Sequence, residues 1–323
     1  MLVEIEARVA RNEMGIPEPK PDYPTVSVLI DRFLAEYDSP RLKSQATYLS
    51  KAKYMLADLG RMYGKLRTDA LQPSHMVRLR SGLAARLHSN TIRTTFAQIG
   101  TLFSWGLRVG LCPTNPVKGL ALPRREDALE YLTADEVAKL LRLAAEHAAA
   151  GDLHAKLEHV RIATAIYTGL RKGELCGLRW RDLDLKSGRL TVARSYRTTP
   201  KSGKTRHLRL PDVLVPLLVE WQPLCPQTAD GLVFPVCGKG VWGMAPHTSV
   251  KGALPALLAE AGCRPNPRPW HLLRHTFASH FMMSGGSLLT LSKILGHADL
   301  KITMVYAHLA PDFIGQEMNR IKF

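Results

Sequence analysis

Apolar residues in this chain recur at three- and four-residue intervals almost everywhere, and only one stretch alternates residue by residue. The first rhythm puts one buried stripe on a helix, whereas alternation puts one buried face on a strand. From Thr25 to Leu122 four stripes appear. They are Val28, Leu29, Phe33 and Leu34; then Tyr54, Met55 and Leu59; then Met76, Leu79, Leu83 and Leu87; then Ile92, Phe96, Ile99, Leu102, Phe103 and Trp105. The alternating stretch runs over 189–197 and 205–210, around Pro200-Lys201-Ser202-Gly203-Lys204, whose proline and glycine suit a turn. No other good hairpin is predicted. The expected fold class is therefore mainly α with a small antiparallel β-sheet.

Punctuation divides the chain. Pro17, Pro19, Pro21 and Pro24 mark residues 1–24 as a tail, because proline removes backbone donors and stops helices. A helical domain is expected over 25–122, four to five helices closed by Asn115-Pro116. Residues 123–130, with Pro123-Arg124-Arg125, read as a linker. A second domain, 131–323, opens on the capping box Thr133-Ala134-Asp135-Glu136. Helices are expected near 157–168, 212–222, 247–261, 272–284, 288–295 and 299–306, with a last short C-terminal helix after Pro311.

Charge narrows the class of partner. The 323 residues carry a net charge of +16. Residues 41–97 hold eleven Lys or Arg against two Asp, more than solvation requires. Such an excess suits a polyanion, above all nucleic acid. Arg93, Arg124, Arg125 and Lys204 are the side chains expected to touch DNA. A membrane partner is not expected, since no apolar run approaches the roughly 20 residues that span a bilayer. No secretory signal layout opens the chain, and the five cysteines form no Cys-x-x-Cys pair. A cytoplasmic protein without a metal or other cofactor is expected.

The chemistry concentrates in four segments. Thr168-Gly169-Leu170-Arg171-Lys172-Gly173-Glu174-Leu175 supplies one arginine, and His271-Leu272-Leu273-Arg274-His275 supplies a second. Leu295-Gly296-His297 and Tyr306 follow. Arginine forks bind phosphate oxygens in a bidentate way, and a tyrosine hydroxyl can be a covalent nucleophile. Read singly, Tyr306 is a packed tyrosine, His271 and His297 are buried or capping histidines, and Lys201 is a solvated turn lysine. The joint order carries the functional reading.

These segments resemble the tyrosine recombinase (phage integrase) family, including Xer-type resolvases and integrases. The matching stretches are Thr168–Leu175, the Lys201 turn, His271–His280 and Leu291–His308. Residues 25–122 look like the family's helical core-binding domain. The resemblance implies a two-domain clamp on double-stranded DNA and a site-specific recombinase that needs neither metal nor ATP. Tyr306 would attack a backbone phosphate, leaving a 3′-phosphotyrosine and a free 5′-hydroxyl. Arg171 and Arg274 would stabilise the transition-state charge, and His297 would donate to the phosphate. His271 would take the tyrosine's proton, and Lys201 would protonate the leaving oxygen, with Lys204 as its competitor. Glu174 would orient the cations from behind. His275 and His280 read as structural, and Arg179 and Arg181 as a salt-bridging or DNA-facing pair.

The family also implies a homotetramer on paired sites, a possible accessory DNA-bending or directionality protein, and a bacterial nucleoid or phage-encoded setting. Trp270 departs from the smaller residue or proline usual before the histidine motif; it is expected to pack or stack. Only about two dozen residues precede residue 25, where integrases of the lambda type carry an arm-binding domain, so the resemblance implies either recombination without arm sites or a chain that begins late. The tail after Pro311 would dock on a neighbouring protomer or on its own domain. Two other readings are a type IB topoisomerase and a catalytically silent DNA-binding protein. A zinc-dependent nuclease is more distant, for lack of a ligand pattern.

Overall fold

The computed structural model describes residues 22–38, 44–124, 129–195, 205–238, 241–243 and 252–311. It divides into two compact units, Met1–Glu126 and Asp127–Phe323. The division lies inside the 123–130 segment.

In the first unit, helices α1 (Val26–Glu36), α2 (Gln45–Tyr63), α3 (Pro73–Ala84) and α4 (Ser89–Arg108) pack around one apolar core. Thr25 and Ser44 cap α1 and α2 with their hydroxyls. The stripes sit slightly off the expected faces. On α1 the buried residues are Val26, Leu29, Ile30 and Phe33, while Val28 is exposed. On α2 they are Ala52, Leu56 and Leu59, and Tyr54 is exposed. Ala52 completes an i, i+4, i+7 row, from which Tyr54 is rotated by more than half a turn. Arg93, half-buried on α4, donates from Nη1 to the Pro123 carbonyl at 2.9 Å. It thus ties the end of this unit to its last helix. Arg124 is exposed, and Arg125 lies outside the described residues.

The second unit is built on α6 (Leu153–Thr168), which is buried on nearly every side. A helix without a wet face belongs in a core. Around it lie α5 (Ala134–Ala150), α8 (Leu214–Trp221) and α10 (Pro269–Met283). Thr133 and Glu136 form the expected capping box on α5. Arg161 of α6 pairs with Glu158 inside the core and lies 4.9 Å from the centre of the Trp270 ring. Trp270 therefore packs, as its departure from the family pattern suggested.

Strands β1 (Leu183–Asp184), β2 (Arg189–Val192) and β3 (Arg206–Arg209) form an antiparallel sheet in that order. Its β2–β3 turn, with Lys201 and Lys204, lies outside the described residues. A second hairpin, β4 (Val236–Gly238) with β5 (Val241–Gly243), was not expected. Its three-residue strands are too short for alternation to register. Residues 299–306 differ too. They form two 3-10 turns, Leu300–Ile302 and Met304–Leu309, rather than an α-helix. The unit also contains α7 (Lys172–Cys176), α9 (Leu254–Glu260) and α11 (Leu288–Leu295). No helix among the described residues is long and apolar enough to cross a membrane.

Candidate active site

Three arginines meet at the C-terminal end of α11. The Leu295 carbonyl accepts from Arg171 Nη1 at 3.1 Å and from Arg274 Nη2 at 2.8 Å. The Ile294 carbonyl accepts from Arg206 Nε at 2.8 Å, and the Gly296 carbonyl from Arg171 Nη2 at 3.4 Å. The last carbonyls of a helix have no partner within it and carry its negative dipole end. Here they hold three cations.

Two glycines make this approach possible. Gly169 ends α6 at φ 62°, and its carbonyl accepts from Arg274 Nη1 at 2.8 Å. A Cβ there would stand 2.4 Å from the Phe277 ring. Gly296 ends α11 at φ 62°, and a Cβ there would stand 2.9 Å from Arg206 Nη1. Both positions need a left-handed backbone and no side chain.

Glu174 lies behind the arginines and is buried. Arg206 grips it in a bidentate way, Nη1 to Oε1 at 3.0 Å and Nη2 to Oε2 at 2.7 Å. Arg171 donates to it twice, from Nη1 at 3.0 Å and from its own backbone N–H at 2.9 Å. Arg171 is thus the N-cap of α7, not a residue within the helix, and Glu174 reaches back to cap it. Burial alone would raise the Glu174 pKa, but Arg206 and Arg171 hold it below the usual carboxylate range. Three arginines against one carboxylate leave a net positive site. Arg274 is buried as well; burial and the neighbouring Arg171 bring its pKa down to about 9, so it stays charged at neutral pH.

The histidines and the tyrosine are joined to Arg274 by hydrogen bonds and short chain links. Arg274 Nη2 donates to His297 Nε2 at 3.0 Å, because a guanidinium has no acceptor. His297 therefore carries its proton on Nδ1 and donates it to Thr303 Oγ1 at 2.8 Å. The Tyr306 N–H donates to the Thr303 carbonyl at 3.0 Å. The Tyr306 hydroxyl, on a ring only 3% exposed, meets His275 Nδ1 at 2.6 Å. Arg274 and His275 are chain neighbours, so the links lead back to the arginine. Burial pushes the Tyr306 pKa up to about 12, against the opposing pull of Arg274 and Arg171.

The structure thus brings together Arg171, Glu174, Arg274, His297 and Tyr306. One pairing differs from the one expected. The partner of Tyr306 is His275, read from the sequence as structural, and not His271. His271 is exposed and lies edge-on to His275, with ring centres 4.4 Å apart. The two are four residues apart on α10, so they share a face, and the face turned to Tyr306 is the later turn's. His280 is structural as read, its Nε2 at 2.8 Å from the Leu132 carbonyl. His297, expected to donate to phosphate, is an acceptor toward Arg274. Arg206 went unnoticed because a charged residue on an alternating strand looks like surface. Arg179 pairs with Asp230 at 2.7 Å, and Arg181 is exposed. Lys201 and Lys204 lie outside the described residues, and Arg93 and Arg124 belong to the first unit.

The phage integrase family model matches residues 130–312, more than half of the chain. The chain belongs to this family. Among relatives, a protein named Tyrosine recombinase XerC from Xanthomonas campestris pv. campestris (strain B100) is 32% identical over 225 residues, 69% of this chain. This chain spans only 65% of that protein's length. A XerC of Pseudomonas aeruginosa (strain LESB58) is 34% identical over 233 residues, 70% of this chain and 72% of that protein. In fold, the Tn1549 transposon integrase, solved with a circular-intermediate DNA, has TM-score 0.72 at 19% identity and covers 92% of this chain and 99% of that chain. The XerH recombinase, solved on a palindromic difH substrate after cleavage, has TM-score 0.70 at 16% identity, covering 94% and 98%. At these identities the likeness concerns the fold.

One pH dependence follows from the histidines. Burial, Arg274 and other nearby cations bring His275 and His297 down to about 4 in the folded chain. An unfolded histidine titrates near 6.5. A folded pKa below the unfolded one gives stability that is full above the unfolded value and is lost as pH falls through the folded one. The thermal midpoint of the protein is therefore expected to hold above about pH 6.5 and to fall between there and about pH 4. A midpoint unchanged across that window contradicts the account.

Proposed function

We propose that this chain is a site-specific DNA recombinase that cuts and rejoins duplex DNA through a 3′-phosphotyrosine, with Tyr306 as nucleophile. One observation carries the reading: the Arg171 and Arg274 forks share the Leu295 carbonyl, and Arg274 is tied through His297 and Thr303 to Tyr306. A phosphodiester seated on the forks gains negative charge on its nonbridging oxygens as Tyr306 attacks. Preorganised, partly desolvated cations stabilise such charge more strongly than water does. The bond energy stays in the phosphotyrosine, so a 5′-hydroxyl can reseal the strand without ATP. His271 completes an imidazole pair at the mouth of the site, and Lys201 protonates the leaving oxygen. When phosphate arrives, His297 must trade its acceptor role toward Arg274 for a donor role toward the anion.

In this reading the unit from Asp127 onward is catalytic, and the basic unit before it binds DNA beside the cut. Arg93 then acts by holding the Pro123 carbonyl, while Arg124 and Arg125 remain candidates for phosphate contact. The protein acts as a homotetramer on paired duplex sites in the bacterial cytoplasm, with or without an accessory DNA-bending protein.

The test uses nicked suicide duplexes tiled from the DNA flanking the gene, with a chelator and without ATP. A covalent protein–DNA band on a denaturing gel is expected. Tight binding with no band on any duplex would favour the silent DNA-binding reading. Relaxation of any supercoiled plasmid without strand exchange would favour a topoisomerase.

A further inference from the structure

We propose that His275 is the proton acceptor for Tyr306, a catalytic residue additional to the motif histidines. The inference rests on the recombinase reading above. Its ground is geometric. The phenolic oxygen lies 2.6 Å from His275 Nδ1, within the range of a short O–H···N bond. The bond forms between rings 5.7 Å apart, and Tyr306 is buried against α10 and α11. A candidate base must first be within hydrogen-bond reach of the proton it removes. His271 is one helical turn earlier and on the solvent side of His275.

The step balances as follows. The phenolic oxygen forms a bond to phosphorus while its proton moves to His275 Nδ1. The P–O5′ bond breaks, its electron pair stays on the 5′-oxygen, and that oxygen takes a proton from Lys201. In rejoining, the 5′-hydroxyl gives its proton back to the Lys201 amine and attacks, the P–O(Tyr) bond breaks, and His275 returns its proton to the leaving phenolate. The groups that set the charge state of His275 are Tyr306 opposite it, His271, Arg274 and Arg268 along α10 and its cap, and Glu130 from the segment before α5. The cations keep the imidazole neutral and able to accept. A bound phosphate offsets them and favours the imidazolium that forms.

His275 therefore joins two parts of the site. Through its backbone it follows Arg274, which is anchored to Gly169 and Leu295. Through its ring it holds the nucleophile. Any shift of the Arg274 turn displaces fork and base together, which makes phosphate seating and tyrosine activation one event.

The test compares the wild-type chain with His275→Asn and His271→Asn. The asparagine carbonyl can sit where Nδ1 sat and accept the hydrogen bond, but it cannot take a proton. Single-turnover cleavage of a suicide duplex is measured from about pH 6 to about pH 10, a range between the folded values of His275, about 4, and Tyr306, about 12, in which the imidazole is neutral and the phenol protonated. For His275→Asn a loss of about 10²-fold or more is expected near neutral pH, shrinking as pH rises, with DNA affinity retained. His271→Asn is expected to keep the wild-type profile shape. A His275→Asn profile parallel to wild type, at any height, overturns the proposal, because a structural defect gives a constant loss.

Absence of an adduct from the wild-type chain is a different result; it removes the recombinase reading and this role with it. A second measurement needs no folded His275 variant. In ¹⁵N-histidine-labelled protein, Tyr306→Phe is expected to move the His275 Nδ1 resonance more than any other histidine nitrogen. An unmoved Nδ1 overturns the pairing.

Discussion

Tyr306→Phe is expected to abolish covalent attachment to DNA while affinity for duplex stays within about twofold of wild type, since phosphate contacts carry most of the affinity. The ring is 3% exposed and packs with Ala278, Met282, Leu291 and Leu295, so phenylalanine keeps the core filled. Only the hydroxyl and its bond to His275 are lost. A single hydrogen bond contributes on the order of 1 kcal/mol to stability, too little to unfold the unit. Denaturing gels read the adduct, and binding isotherms read the affinity. An adduct that persists moves the nucleophile to another residue.

Arg274→Ala carries the second large effect. It removes a buried fork and leaves the Gly169 carbonyl and His297 Nε2 without their donor. Loss of one preorganised donor to a transition-state oxyanion costs on the order of 10²–10³-fold in rate. A bidentate fork should reach at least the upper end of that range. Arg274→Lys is expected to remain well below wild type, because an ammonium is a point charge and cannot span Gly169, Leu295 and the phosphate together. Single-turnover cleavage under saturating protein separates this from weaker binding. Near-normal cleavage by Arg274→Ala would remove the arginine from the phosphate site.

Glu174 and Arg206 explain how the forks stay in place. Arg171 and Arg274 repel each other across one shared carbonyl, and the buried carboxylate offsets that repulsion from behind. Arg206 binds both Glu174 oxygens and the Ile294 carbonyl, so β3 is joined to α7 and to the end of α11. The strand that leads out of the Lys201 turn is thereby fixed to the arginine cluster. In the recombinase reading proposed above, Arg206 is a positioning residue that acts through Glu174.

Much of this was legible in the sequence, and the reasons differ by element. The helices of the first unit show as stripes because a single helix face is buried. The exact face did not, because Ala52 counts little in an apolar pattern and yet holds the α2 stripe. The arginine and tyrosine positions show because the four segments keep a fixed order. His275 does not, since the sequence places it one residue after Arg274 and says nothing of a ring 31 positions away. Arg206 is hidden because a charged residue on an alternating strand looks like surface, and its partner Glu174 is 32 positions away. The 299–306 segment has helical spacing, but the Asp299 carboxylate accepts from the Lys301 N–H and the Thr303 hydroxyl accepts from His297, and the chain tightens into 3-10 turns.

The most direct test of the central claim is the chemical identity of the protein–DNA link. Wild-type protein is incubated with a nicked suicide duplex and chelator, then digested with trypsin and nuclease for mass spectrometry. The account predicts a nucleotide joined through its 3′-phosphate to the peptide that contains Tyr306. A link to any other residue, or one through a 5′-phosphate, would contradict it.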